Sequence, residues 1–256
     1  MRILVSNDDG IDAPGIRVLA DVFAELGEVW TVAPATEQSA RSHAISIHNP
    51  VRVSARGNRR FAVQGSPADA VYFGLHHFCP PDVALVVSGI NRGPNLADDT
   101  WYSGTVAAAR EGAMAGRMAL AVSLKVTGRS SDETSHWAVA AQLALDVARK
   151  VLESPPAERT VYNLNVPDLP MHEQGSLKVC PLGDQHYRPS VHVAEDPRGG
   201  KIYWIGGTPQ GFADQPGSDG YWVERGHPTL TPLHIRATDM GELERLNQRF
   251  GEPTPS

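Results

Sequence analysis

Short apolar runs that alternate with helix-periodic segments constrain the first half of this chain more than any other feature. Ile3 to Ser6, Val29 to Ala33, Val83 to Val87 and Met118 to Leu124 read as strands. Between the first two, Pro14 suits a helix start; Ile16, Leu19, Ala20, Phe23 and Leu26 mark one apolar face, and Gly27 ends the turn. Gly65-Ser66-Pro67 opens a second helix through Ala70, Val71 and Leu75, and Val106 to Ala115 forms an alanine-rich third that stops at Gly116. A long amphipathic helix is expected over about Glu133 to Leu152, with Pro155-Pro156 at its exit. Such alternation predicts an α/β fold, a mostly parallel sheet covered by helices. Shorter pieces at Ile45 to Ile47, Val51 to Ser54 and Phe61 to Gln64 are strand-like, some of them antiparallel.

From Val161 onward the texture changes. Val161 to Val166 and Leu177 to Val179 read as strands, and residues 181–220 are rich in Gly, Pro and Asp around a hairpin near Ile202 to Ile205. Leu230 to Ile235 is a last strand and Met240 to Phe250 a terminal helix. The expected division is a core over 1–180 and an extension over 181–256, of the kind that makes oligomer contacts by exchanged segments.

Composition narrows the function. A chain of 256 residues with 41% hydrophobic content buries a substantial core. A formal net charge of −6 supplies no general attraction for nucleic acid polymers, although a small phosphorylated ligand needs only a local positive site. No apolar run approaches the roughly 20 residues that span a bilayer. The first strand begins at Arg2, so no leader is expected, and Cys79 with Cys180 suggests no disulfide framework. The expected location is the cytoplasm, with no membrane partner.

Chemistry concentrates at the strand exits. Asp8 and Asp9 follow the first strand, and in a continuing strand they would face opposite ways; Gly10 permits the bend that lets both serve one ligand. Ser39 follows the second strand, and Asn91 and Asn95 follow Val83 to Val87. In a parallel sheet these five share the carboxyl edge, where doubly wound folds bind ligands. Taken singly, Ser39 reads as a solvated serine, Asn91 and Asn95 as turn formers and Ser103 as a helix cap. Together, two carboxylates with hydroxyl and amide oxygens form a hard donor set suited to Mg²⁺ or Mn²⁺ and poorly suited to Zn²⁺. Ser103, Gly104 and Thr105 enter a helix whose free N–H groups favour an anion. His43 reads as a surface loop histidine, His76-His77 as a favourable helix-end pair, and Trp101 and Tyr102 as packing residues.

At these residues the chain resembles the SurE family, stationary-phase survival proteins that act as metal-dependent 5′-nucleotidases. The resemblance rests on Asn7-Asp8-Asp9-Gly10-Ile11 with Ala13-Pro14-Gly15-Ile16, on Val32-Ala33-Pro34 leading to Ser39, and on Gly65-Ser66-Pro67-Ala68-Asp69. It continues through Val87-Ser88-Gly89-Ile90-Asn91-Arg92-Gly93-Pro94-Asn95 and Tyr102-Ser103-Gly104-Thr105-Val106 through Glu111-Gly112-Ala113 to Asn163-Leu164-Asn165-Val166-Pro167, Tyr203-Trp204-Ile205-Gly206 and Leu230-Thr231-Pro232-Leu233. It implies a Rossmann-like three-layer core, a C-terminal extension used in a homodimer or homotetramer, and hydrolysis of nucleoside 5′-monophosphates, extending to 3′-monophosphates and short polyphosphate. The resemblance further implies one divalent metal ion per subunit, Mg²⁺ or Mn²⁺, with Asp8, Asp9, Ser39 and Asn91 as ligands. Asn95, Ser103, Gly104 and Thr105 then form the phosphate-binding side, and Asp8 orients or deprotonates the attacking water, with direct attack by its carboxylate as the alternative. The chain departs from the family at Ala40-Arg41-Ser42-His43, where many relatives carry smaller residues, and at Glu224-Arg225-Gly226-His227-Pro228. A nucleotide sensor or scaffold that binds without turnover is the alternative of a different class.

Overall fold

The structure, a computed structural model, describes residues 1–126, 135–154, 157–212 and 215–251. Its centre is a nine-stranded sheet in the order β3-β4-β2-β1-β5-β6-β7-β11-β8. The strands are β1 (Arg2–Ser6), β2 (Glu28–Pro34), β3 (Val53–Ala55), β4 (Arg60–Val63), β5 (Val83–Arg92), β6 (Met118–Lys125), β7 (Thr160–Pro167), β8 (Lys178–Val179) and β11 (Thr229–His234). β4-β2-β1-β5-β6-β7 is a continuous parallel run, and among the described pairs of this sheet only β3 against β4 and β11 against β7 are antiparallel. The expected α/β class with a mostly parallel sheet is therefore the observed one.

Helices cover both faces, and the two-residue period of the strands decides which side chain meets which layer. Ile3, Val5, Leu85 and Val87 pack with Ile16, Leu19 and Phe23 of α1 (Pro14–Phe23) and with Ala141, Ala144 and Leu145 of α4 (Trp137–Leu152). Leu4, Val32 and Val86 face the other way, against Ala70 and Val71 of α2 (Pro67–Phe73) and Ala108 of α3 (Gly104–Met114). Gly112 lets α3 lie close, since a Cβ there would stand 2.6 Å from Val86 Cβ.

Several elements differ from the sequence expectation. β5 continues past Val87 to Arg92, because its register against β6 shifts between Ser88 and Asn91 and pairing then resumes as Asn91 with Ser123. Gly89 makes this possible: its φ is +141°, and a Cβ there would meet the Val122 carbonyl oxygen at 2.3 Å. Asn91 thus lies in the strand and not in a loop beyond it. Ile45 to Ile47 forms no strand, because Asp69 takes up the Ser46 N–H and hydroxyl, both at 2.8 Å. α4 starts at Trp137; Glu133 and the Pro155-Pro156 pair lie outside the described residues.

The expected hairpin is present and much longer, with β9 (Gln185–Glu195) antiparallel to β10 (Lys201–Phe212) in a sheet of its own. α5 (Asp219–Val223) and α6 (Met240–Phe250) complete the chain. Within 181–256, β11 returns to the main sheet beside β7, and Asp219 accepts from the Ala97 N–H at 3.0 Å and the Gly183 N–H at 2.8 Å. Parallel alignment brings the exits of β1, β2 and β5 to one edge of the sheet.

Candidate active site

The turn after β1 is built by Asn7. Its side-chain oxygen accepts from the Gly10 N–H at 3.2 Å while its amide donates to the Gly10 carbonyl at 2.9 Å, and Gly10 takes a φ of +105° that favours glycine. The bend turns Asp8 inward, 4% exposed, and leaves Asp9 half-buried. The Asp8 carboxylate accepts a hydrogen bond from the Thr105 hydroxyl. Burial pushes the Asp8 carboxyl up from its ordinary range; the Thr105 hydroxyl and nearby backbone N–H groups oppose that rise, and the negative charge of Glu37 adds to it. A buried carboxylate in this state favours the arrival of a positive charge.

α3 closes over that carboxylate. Ser103 caps the helix by accepting from the Val106 N–H at 3.0 Å, so the ordinary reading of this serine holds for its hydroxyl. Gly104 supplies a cradle with no side chain in it: a Cβ there would stand 2.8 Å from Asp8 Cβ and 2.9 Å from Asp8 Oδ2. Thr105 is fully buried and its hydroxyl is directed at Asp8. Asn95 is also buried, its amide donating to Ser123 Oγ at 2.8 Å, with its backbone bonded to Asn163 and Asn165.

The open side of the site belongs to the loop after β2. Asp9, Ser39, Glu37, Arg92, Gly15 and Trp137 line a cavity of about 330 Å³. The Ser39 hydroxyl donates to Glu37 Oε1 at 2.8 Å, the Gln38 N–H donates to the Asp8 carbonyl at 2.8 Å, and the Arg92 N–H reaches Asp9 Oδ2 at 3.4 Å. The Asn91 amide nitrogen donates to the Gly93 carbonyl at 2.7 Å, which leaves its oxygen as the atom suited to a cation. Among the described residues no three His, Cys, Asp or Glu side chains gather as metal ligands. A cation held here would depend on serine and asparagine oxygens beside the two aspartates, an all-oxygen hard donor set of the kind that suits Mg²⁺ or Mn²⁺.

Sequence reasoning missed Glu37 and Arg92, whose signal was adjacency to Ser39 and Asn91. Two further expectations are corrected. Trp101 and Tyr102 do not pack into the interior but stand 57% and 62% exposed at the end of the short helical turn Ala97–Trp101, with the Arg110 guanidinium over the Trp101 ring. His43 is not a free surface histidine: its Nε2 lies 2.9 Å from Glu111 Oε2 on α3.

The model of a family described as Survival protein SurE matches residues 3–189. The chain belongs to the SurE family. It is 43% identical over 248 residues to a protein of Geotalea daltonii named 5′-nucleotidase SurE, with 97% of this chain and 98% of the relative aligned. A Legionella pneumophila relative of the same name is 41% identical over 254 residues, covering 98% of each chain. Among solved structures, the SurE protein of Aquifex aeolicus superposes with a TM-score of 0.83 at 32% identity, over 97% of this chain and 99% of that one.

Proposed function

We propose that the chain is a metal-dependent 5′-nucleotidase that hydrolyses nucleoside 5′-monophosphates to nucleoside and phosphate, with 3′-monophosphates and short polyphosphate as further substrates. The observation that carries this reading is the buried Asp8 carboxylate, held by Thr105 at the entrance of α3, beside the cavity lined by Asp9 and Ser39. The relatives named 5′-nucleotidase SurE support it.

Asp8, Asp9, Ser39 and Asn91 would hold one divalent ion, Mg²⁺ or Mn²⁺. When bound, that ion supplies charge to polarise a phosphoryl oxygen and lower the pKa of a water. Asp8 would orient the attacking water, or take its proton, for attack in line with the ester oxygen; the new P–O bond forms as the bond to the sugar oxygen breaks, and that oxygen takes up a proton. Asn95 and the Ser103-Gly104-Thr105 entrance of α3 form the phosphate side, where a single well-aimed donor is worth about 3 kcal/mol in the transition state. Thr105 contributes through its hydrogen bond to Asp8, and Gly104 lets the start of α3 lie close against Asp8.

Residues 1–180 form the catalytic core in this reading and 181–256 makes the contacts of a homodimer or homotetramer. The exposed Val191, Val193, Tyr203, Trp204 and Ile205 on the hairpin support that role. Among the described residues no helix is long and apolar enough to cross a membrane. The reading places the protein in the cytoplasm, acting on mononucleotides and not on nucleic acid polymers.

The test measures phosphate released from a panel of nucleoside monophosphates in EDTA, Mg²⁺ or Mn²⁺, for the wild-type chain and Asp9→Ala. Metal-dependent release that a folded Asp9→Ala variant loses is the expected result. Nucleotide binding without release in any metal would replace the enzyme with a sensor.

A further inference from the structure

We propose that His43 and Glu111 are positioning residues that lock the Ser39 loop onto α3, so that one helix sets the places of both Asp8 and Ser39. The inference rests on the metal-site reading given under Proposed function. It starts from the conformation of the loop. Ala40 and Ser42 adopt φ values of +56° and +51°, a left-handed region that non-glycine residues enter at a cost and keep only where surrounding contacts hold them. Both lie within three residues of Ser39 along the chain.

Contacts from α3 and its entrance hold the loop. The Ser42 N–H donates to the Tyr102 carbonyl at 3.0 Å, just before the Ser103 cap of α3. His43 follows, its ring nitrogen 2.9 Å from the Glu111 carboxylate, with side-chain exposures of 29% and 11%. Beyond it, Ser66 Oγ donates to the Ala44 carbonyl at 2.6 Å, and Asp69 accepts from Ser46, so the next stretch belongs to α2. The anchors therefore divide. Ala44 and Ser46 are tied to α2, whereas Ser42 and His43, nearest to Ser39, are tied to α3 and its entrance.

α3 is also the helix whose Thr105 holds Asp8. Thr105 fixes the buried carboxylate at the first turn of α3, and Glu111, farther along the same helix, fixes the loop that brings in the serine oxygen. A carboxylate and a hydroxyl that come from different strand exits thus share one rigid support. Groups that orient metal ligands without touching the ion typically change affinity by about 10–100-fold when removed.

The test compares Mn²⁺ binding to the full chain by the electron paramagnetic resonance signal of free Mn²⁺, for wild type, His43→Ala, His43→Phe and His43→Gln. Thermal melting checks that each variant is folded. His43→Ala is expected to weaken Mn²⁺ binding about tenfold or more. His43→Phe keeps the ring volume without the hydrogen bond and is expected to weaken it likewise, which preserves the test if alanine does not fold. His43→Gln returns a side-chain N–H at similar reach and is expected to recover binding to within about threefold of wild type.

A folded His43→Ala or His43→Phe variant that binds Mn²⁺ like wild type overturns the proposal, as does His43→Gln that is no better than alanine. Wild type that binds no Mn²⁺ overturns it too. Phosphate release is measured on the same samples: if wild type binds Mn²⁺ and His43→Ala weakens that binding while neither releases phosphate, the positioning role stands and the nucleotidase reading falls.

Discussion

The two sides of the candidate site are built differently. Asp8, Thr105 and Asn95 are buried, joined to the interior by hydrogen bonds with α3, Ser123, Asn163 and Asn165, and closed by glycine where α3 meets Asp8. Asp9 is half-buried and Ser39 and Glu37 are exposed on a loop, with Ser39 bonded to its near neighbour Glu37. A residue on the inner side is therefore part of the fold as well as of the chemistry, whereas one on the outer side is free to be tuned with little effect on stability. In the proposed nucleotidase reading, the inner side keeps its geometry while the outer side accommodates a ligand.

The comparison breaks if changes on the two sides have equal consequences. Asp8→Asn is expected to have the largest effect, lowering metal-dependent phosphate release about 10³-fold in a protein that stays folded, measured by turnover and melting together. Gly104→Ala follows. Its Cβ would press on Asp8 at 2.8 Å and on Pro67 Cγ at 3.0 Å, so about 1–3 kcal/mol of stability and most of the turnover are expected to be lost. Denaturant unfolding of the variant checks the first quantity. Thr105→Val removes the hydroxyl beside Asp8 while keeping its volume, and should lower turnover about tenfold with a stability change of about 1 kcal/mol. Ser39→Ala, on the open side, should move stability by no more than about 0.5 kcal/mol while raising the Mn²⁺ concentration needed for half-maximal release. Wild-type Mn²⁺ dependence in that variant would remove Ser39 from the ligand set.

A pH series sharpens the same contrast. Burial raises the Asp8 carboxyl in the folded chain, so the folded state holds its proton to higher pH than the unfolded state does. Stability from this group is complete below the unfolded value of about 4 and is lost as pH rises through the raised folded value. In EDTA, the melting temperature of wild type should therefore fall relative to Asp8→Asn as pH increases above about 4, and Mn²⁺ should reverse the trend. Parallel melting curves for the two proteins across that range would contradict the burial of an ionising carboxylate.

Much of this was legible before the structure. The strand-helix alternation placed β1, β2, β5 and β6 and the helices between them, because two-residue and helical apolar periods reflect burial on a sheet and against a helix. The Asp8-Asp9-Gly10 step and the β2 exit before Ser39 were legible because parallel strands share an edge. The extension of β5 was not: a register shift at Gly89 depends on how closely Val122 of the neighbouring strand approaches. Nor was the exposure of Trp101 and Tyr102, since aromatic type favours burial and only the direction of the preceding turn sends them outward.

The sequence by itself determined the fold class, the order of the core elements and the family, because these follow from local periodicity and from the motif segments within the range that the SurE family model matches. Only the tertiary structure decided which donors face inward and what holds them. Thr105 bonds to Asp8 across 97 positions of chain, and His43 meets Glu111 across 68. Partnerships at that separation leave no periodic trace in the sequence; they arise when packing of α3 against the sheet brings distant segments within hydrogen-bond reach.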